Sequence, residues 1–487
     1  MDARSDSLTA RIEVETLDAA PAPGEVLRAL AGEPDPAALD SSAFDRRYGR
    51  YTVLACRPVD VLTCRCGVLT DAAGRELARG TEIWAALERA FGRVRAAAPD
   101  AGPYLPGWIG YVGYEMGRCV ERLPARARRD TALPDLRVAL YDAVLVHDAQ
   151  TGTWRLVRLS FDAAPRGAGV AAGALRRLHA SARGGGPGAD DAGSAAAERP
   201  AIAVDSGFTP DAYRRAVARC VEHIAAGDIF QVNLSQRLTA SAPGPPGELY
   251  AALRRRNPAG YAAYLGFDAG GVPCAVLSSS PELFLELRGG RVVTRPIKGT
   301  RRRTGEASAD ARAAEELRRS EKDNAELAMI VDLLRNDLGR VCRYGSVRVI
   351  DPARLETHPT VFHLVATVEG RLRAGVGPAA LLRATFPGGS ITGAPKIRAM
   401  EIIDEMEPTA RGPYTGCIGH VGVDGAVTWN IAIRTIVWQD GRAGVQVGGG
   451  IVADSDPAAE HQETLDKARA MLEALHMAAA RQSEARG

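Results

Sequence analysis

An α+β fold with antiparallel strands is what this sequence predicts, from two amphipathic helices and one run of hairpins. Residues 321–340 place Leu327, Ile330, Val331, Leu334 and Leu338 at i, i+3, i+4, i+7 and i+11, one apolar helix face. Residues 458–477 repeat the pattern with Leu465, Ala468, Leu472 and Leu475. Between these helices, Ile418 to Asp454 reads as three antiparallel strands, with Asp424-Gly425 and Asp440-Gly441 as the hairpin turns. Further upstream, the apolar run Ala139 to His147 reads as a strand as well.

The chain divides in three. Residues 1–160 form an N-terminal α+β region. Residues 161–204 turn to Ala, Gly, Arg, Asp and Pro, a composition that buries little and predicts a flexible linker or long loop. Residues 205–487 form the larger unit. The 46% apolar and 25% charged content supports a large core and excludes wholesale disorder. A net charge of +2 gives no electrostatic reason to expect nucleic acid or an acidic membrane as partner. No apolar run approaches the ~18 residues of a membrane span. The first 13 residues have no apolar signal core, so a cytoplasmic location is expected. The eight cysteines are scattered, and Cys64 and Cys66 form a C-x-C without a second pair. Buried free thiols are expected rather than a zinc site.

Chemistry concentrates in the larger unit. Lysine occurs only at 298, 322, 396 and 467; every other basic residue is arginine. Lysine differs in being able to lose its proton and act as nucleophile or base. Lys298 sits between Ile297 and Gly299 in a strand-like context; if it points inward, its amine is poorly hydrated and its pKa falls. The alternative is an exposed turn lysine. Each amphipathic helix opens with acids three apart, Asp323 and Glu326, then Glu460 and Glu463. Acids so spaced repel, by about 0.2–0.5 kcal/mol. They serve either the helix dipole or a hard cation such as Mg²⁺. The run Gly448-Gly449-Gly450 ends a strand, which suits either backbone contact with an anion or a simple bend. Arg434, read as part of a strand from Val427 to Gln439, shares a face with Ala432, Ile436 and Trp438. It either binds a planar anion or snorkels to water. His363 lies among apolar neighbours, and Glu282 follows Ser280-Pro281.

The stretches PIKGT at 296–300, DLLRNDLGRV at 332–341, HLVATVEG at 363–370 and FPGGSITGAPK at 386–396 resemble the chorismate-utilising enzymes. So do GGGIVADS at 448–455 and ETLDKARAML at 463–472, all in the family's order. The N-terminal stretches 39–51 and 107–118 are similar more loosely to the matching part of anthranilate and aminodeoxychorismate synthases. The resemblance implies antiparallel sheets packed in a sandwich, surrounding helices and a central cleft. It implies that Glu326 and Glu463 hold Mg²⁺, backed by Asp323 and Glu460. Gly299, Thr300, Tyr414, Arg434 and Gly448 to Gly450 are implied to bind the substrate carboxylates, with His363 at the reaction centre.

Two positions separate branches of that family. Gln231 stands where water-adding members resemble one another in having a base lysine, which implies ammonia as the nucleophile. Lys298 stands where anthranilate synthases typically have alanine and aminodeoxychorismate synthases have lysine. The implied function is a transferase that makes 4-amino-4-deoxychorismate for 4-aminobenzoate and folate. Lys298 is then the nucleophile and Glu282 the general acid. No G-x-C-x-G elbow is present, so a separate glutamine amidotransferase is implied as the ammonia source. Lys467 is implied to contact either a substrate carboxylate or only Glu463. Ser41, Tyr48, Gly49, Arg50 and Tyr51, facing Gly260, Tyr261 and Ala262, match a tryptophan pocket by spacing. The rival readings are anthranilate formation and a non-catalytic chorismate or tryptophan sensor.

Overall fold

The computed structural model describes residues 7–46, 48–97, 102–182, 202–358 and 361–484. Elements that position the site are β1 (Ala37–Asp40), β2 (Gly107–Val112), α1 (Val170–Ser181), β3 (Gln231–Ser241), β4 (Tyr261–Asp268) and β5 (Ile297–Arg302). They continue with α2 (Glu321–Gly339), β6 (Val361–Arg371), α3 (Lys396–Met406), β7 (Cys417–Gly422), β8 (Val427–Asn430), β9 (Thr435–Gln439), β10 (Arg442–Ile451) and α4 (Pro457–Glu484).

Two large sheets, of 13 and 12 strands among the described residues, pack face to face. The first carries β3, β10, β9, β4 and β1; the second carries β5, β6, β8, β7 and β2. Named strands pair antiparallel, apart from Leu8–Leu17 beside Val94–Ala97. Between the sheets lies a core in which Ala37, Val53, Ala263 and Val276 meet Ile109, Tyr111, Ala139 and Ile418. Outside the first sheet, Val445 and Val447 pack on Ala468, Met471 and Leu475 of α4. Outside the second, Leu364 and Ala366 pack on Leu327, Val331 and Leu338 of α2. Burying each of the larger side chains contributes about 1.5–3 kcal/mol. The result is a sandwich of sheets between layers of helices, as expected.

Helix α2 begins where its apolar period begins, because the Ser320 hydroxyl accepts from the Asp323 amide as N-cap. The three strands expected between 418 and 454 are four. The expected strand from Val427 to Gln439 is interrupted at 431–434, where the chain leaves one sheet and enters the other. β8 pairs with β7 and β9 pairs with β10. Arg434 has φ 50°, a left-handed backbone that ends strand geometry, so it shares no strand face with Ile436 and Trp438. The turns at Gly425 and Gly441 are as expected, both with positive φ.

The stretch 161–204 is not loop throughout. It contains α1, whose Ala171, Ala172, Ala174 and Leu175 are buried against the helical side of the first sheet. Its small side chains let the helix sit close, a packing that composition alone conceals. Residues 183–201 lie outside the described residues. Strands from before and after this stretch share both sheets: β1 pairs with β4, and β2 with β7. All eight cysteines are free, and only Cys66 among them is exposed. Among the described residues, no helix is long and apolar enough to cross a membrane.

Candidate active site

The site lies where β5 of the second sheet faces the ends of β3 and β10 of the first. β5 runs beside β6 with a register shift between Lys298 and Thr300. Gly299 occupies that bulge with φ 71°, and a Cβ there would stand 2.7 Å from Leu317 and 2.9 Å from Asp323. Only glycine fits, and the bulge re-aims the side chains on either side of it.

Lys298 is 13% exposed and its Nζ stands 3.4 Å from Glu326 Oε2. Of the two alternatives, the lysine therefore points inward, with a carboxylate beside its amine. Across the cleft, a Cβ on Gly450 would lie 2.5 Å from Gln231 Nε2 and 3.1 Å from Lys298 Nζ. The amide and the amine thus meet over a glycine, and any larger residue there would displace both side-chain ends.

Glu282 is buried, and its Oε1 accepts from Ser390 Oγ at 2.7 Å. Burial pushes its carboxyl up to about 7, against the opposing pull of Ser390 and of the Lys298 charge. His363 Nδ1 and Thr300 Oγ1 share a hydrogen bond of 3.0 Å. Burial, then the positive charge of Arg434, holds this imidazole well below its ordinary value, so it is neutral. Arg434 is half-buried, and burial lowers its guanidinium too. Among the described residues, nothing hydrogen-bonds to that guanidinium or forms an ion pair with it, as suits a residue that awaits an anion. Tyr414 is buried beside the Arg411 guanidinium, 5.8 Å from its ring centre.

Glu460, Glu463 and Lys467 share one face of α4. A Cβ on Gly449 would lie 3.0 Å from Glu460 Oε2, 3.7 Å from Glu463 Oε1 and 3.9 Å from Lys467 Nζ. Lys467 pairs with Glu463 at 2.6 Å and donates to the Gly448 carbonyl at 2.9 Å. The Glu460 carboxyl is raised by burial and by Glu463, while Ser455 donates to it at 2.7 Å. Glu463 is lowered: Lys467, Lys322 and Lys298 outweigh its desolvation. On α2, Glu326 faces Lys298 and Asp323 pairs with Arg301 at 3.1 Å. Among the described residues, no three metal-ligating side chains gather at one point. The donors are all carboxylate oxygens, and two of them crowd one spot over Gly449; that chemistry fits a hard divalent cation. Lys396 is anchored to Asp337 at 2.7 Å, a structural role.

Of the eight residues matched to a tryptophan pocket, five line one small cavity, and Tyr48, Gly49 and Arg50 do not. Ser41 Oγ donates to the carbonyls of Tyr51 and Gly260, and the Tyr48 carbonyl lies 3.3 Å from where a Gly260 Cβ would be. Tyr48 stacks under Arg295, and Arg50 pairs with Asp148 at 2.6 Å. The cavity lined by Ser41, Tyr51, Gly260, Tyr261 and Ala262 measures about 30 Å³. That is room for a water or two, not for an indole.

Sequence reasoning missed Ser390, which stands within the FPGGSITGAPK stretch, and Asn233, whose buried Oδ1 has no hydrogen-bond partner among the described residues. It also missed Glu407 and Arg411, a fully buried ion pair at 2.7 Å. Their i, i+4 spacing was the available signal, obscured by Pro408 and Pro413.

Comparison with known proteins is consistent across sequence and structure. The family model described as chorismate binding enzyme matches residues 43–473. Anthranilate synthase component 1 of Thermus thermophilus is 42% identical over 434 residues, 89% of this chain and 91% of that one. Aminodeoxychorismate synthase component 1 of Klebsiella aerogenes is 39% identical over 449 residues, 92% of this chain and 95% of that one. The crystal structure of anthranilate synthase component I from Streptococcus pneumoniae superposes with a TM-score of 0.72 at 31% identity, covering 88% of this chain and 93% of that one.

Proposed function

The chain belongs to the chorismate-binding enzyme family, and on that premise we propose that it replaces the C4 hydroxyl of chorismate with ammonia. The product is 4-amino-4-deoxychorismate, a precursor of 4-aminobenzoate and folate. The observation that carries this reading is Lys298, a mostly buried amine held over Gly450 and in the field of Glu282.

Nζ of Lys298 attacks C2 of the ring; a C–N bond forms, the ring double bond shifts and the C4–O bond breaks. Glu282, half protonated near pH 7, gives its proton to the departing hydroxyl, which leaves as water. Ammonia then bonds to C4, and the C2–N electron pair returns to the lysine. The ammonium-bearing product gives up a proton that restores Glu282. Pyruvate is retained. Arg434, Thr300 and Tyr414 hold the two carboxylates, which fixes C2 against the amine. The neutral His363 orients Thr300. Glu326 and Glu463 are the proposed holders of Mg²⁺, with Glu460 and Asp323 behind them. When bound, the cation supplies positive charge for a substrate carboxylate. The designation component 1, carried by the relatives, supports a second component here, which we take to be a glutamine amidotransferase.

One specific observation favours a second reading. Two relatives named anthranilate synthase component 1, from Thermus thermophilus and Streptomyces coelicolor, are 42% and 41% identical, slightly above the 39% of the aminodeoxychorismate relative. The deciding test incubates purified protein with chorismate, Mg²⁺ and ammonium at alkaline pH, beside Lys298→Ala, and reads products by mass and fluorescence. Aminodeoxychorismate from the wild type, nearly absent from the variant, is the expected result. Anthranilate would sink the C4 reading and leave the family assignment intact.

A further inference from the structure

One end of the second sheet carries a row of arginines that the chemistry above does not use. The hairpin joining strands Leu283–Arg288 and Arg291–Arg295 sets Arg288 opposite Arg291. Arg291 in turn stands opposite Arg371 of β6. On the far side of β6, Cys342 bridges to Leu372, and the Arg343 amide donates to the Arg371 carbonyl at 2.7 Å. That sets Arg343 opposite Arg371. Residues directly opposite share a face, so four arginine side chains leave one face of the sheet in a line. At about 4.8 Å between strands, the line is roughly 14 Å long.

Like charges set opposite one another destabilise a sheet, and only half of this row is neutralised. Arg291 pairs with Glu369, and Glu286 stands 3.9 Å from Arg288. The Arg371 guanidinium donates to a backbone carbonyl, that of Gly289 at 3.4 Å. Among the described residues, no ion pair or side-chain hydrogen bond engages the Arg343 guanidinium. Both of these arginines are exposed. A cavity of about 460 Å³ opens at the end of the row. Arg288 and Arg343 belong to its wall, and Leu287, Leu372, Val376 and Ala426 give it an apolar lining. Tyr344, the residue after Arg343, is fully exposed. From Arg371 back to His363 along β6 is roughly 26 Å, at about 3.3 Å per strand residue, so the row is remote from the reaction centre.

We propose that this end of the sheet docks an acidic segment of a partner polypeptide, one that carries a bulky apolar side chain. In an extended segment alternate side chains lie about 6.6 Å apart, so three acids at i, i+2 and i+4 span about 13 Å, which matches the row. Each guanidinium fork can take a carboxylate through two hydrogen bonds. The apolar side chain fills the cavity as an anchor, with arginine and tyrosine around it, the residue types that interfaces enrich. A small phosphorylated ligand fits less well, because the row lies on an open face and small ligands take concave sites. The proposal is independent of which carbon of chorismate is aminated.

The test uses two labelled peptides and the full chain. One peptide alternates glutamate with serine and ends in phenylalanine; its twin carries lysine in place of glutamate. Binding is read by fluorescence polarisation at low salt. The acidic peptide should bind and the basic one should not. Arg343→Glu combined with Arg371→Glu should weaken the acidic peptide by about tenfold or more and admit the basic one. Ala374 is exposed and lines the cavity, so Ala374→Trp fills it without touching the charges. That variant should weaken the peptide ending in phenylalanine and leave one ending in glycine unchanged. Both variants should keep their activity with ammonium. Failure of the acidic peptide to bind, or binding that survives the charge reversal, overturns the proposal. Equally tight binding of inorganic triphosphate overturns it in favour of a small-anion site. Self-association of the wild type that the reversal abolishes overturns it in favour of a second copy of this chain.

Discussion

Two glutamates, Glu282 and Glu407, are each 4% exposed, yet their surroundings differ completely. Glu407 receives Arg411 at 2.7 and 2.9 Å and both the amide and the hydroxyl of Ser235 at 2.8 Å. Glu282 receives Ser390 and is left with a charge it can scarcely hold, its carboxyl pushed up to about 7. Burial by itself therefore says little about function. What separates an anchor from an acid is whether the buried charge is compensated.

The same substitution at both sites should have opposite signs. Glu407→Gln leaves Arg411 buried without its counter-charge, and stability should fall by about 3–5 kcal/mol, read as a lower melting temperature or denaturant midpoint. Glu282→Gln removes a charge the fold resists. A carboxyl raised in the folded state favours folding below its unfolded value of 4.5, and that advantage is lost as pH rises through about 7. At pH 8 this variant should accordingly be more stable than wild type, on the order of 2–3 kcal/mol, with the gain vanishing toward pH 4.5. Its kcat should fall about 10²-fold, because the leaving hydroxyl loses its proton donor. A destabilised Glu282→Gln protein at pH 8 would erase the contrast. The smallest effect is expected at Thr300→Val, which removes the bond to His363: about 0.5–1.5 kcal/mol in chorismate binding, read by titration.

Much of this was legible in the residues. The apolar period placed α2 at 321–340 against the observed Glu321–Gly339, and the glycines of the turns were placed correctly. Gln231, Lys298 and Gly450 were singled out and converge at one point, and Glu460 and Glu463 stand together at the neighbouring Gly449. Their meeting over single glycines was not legible, because close approach between two sheets leaves no local pattern. The break at 431–434 was missed for the same reason: Ile431, Ala432 and Ile433 keep the start of the crossing apolar, so alternation cannot tell one strand from two. Helix α1 was hidden because alanine-rich, arginine-rich composition reads as solvent-loving until a groove receives the alanines.

The mixing of early and late strands has a consequence for how the chain is made. Val112 awaits Cys417 and Ala38 awaits Tyr264, so both sheets stay unfinished while most of the polypeptide is still on the ribosome. Such distant pairing slows folding and leaves bare strand edges in nascent chains, where neighbouring copies on a polysome can add themselves. Expression at low temperature or with abundant chaperone should therefore raise soluble yield, and neither half of the gene should give a product that stands on its own.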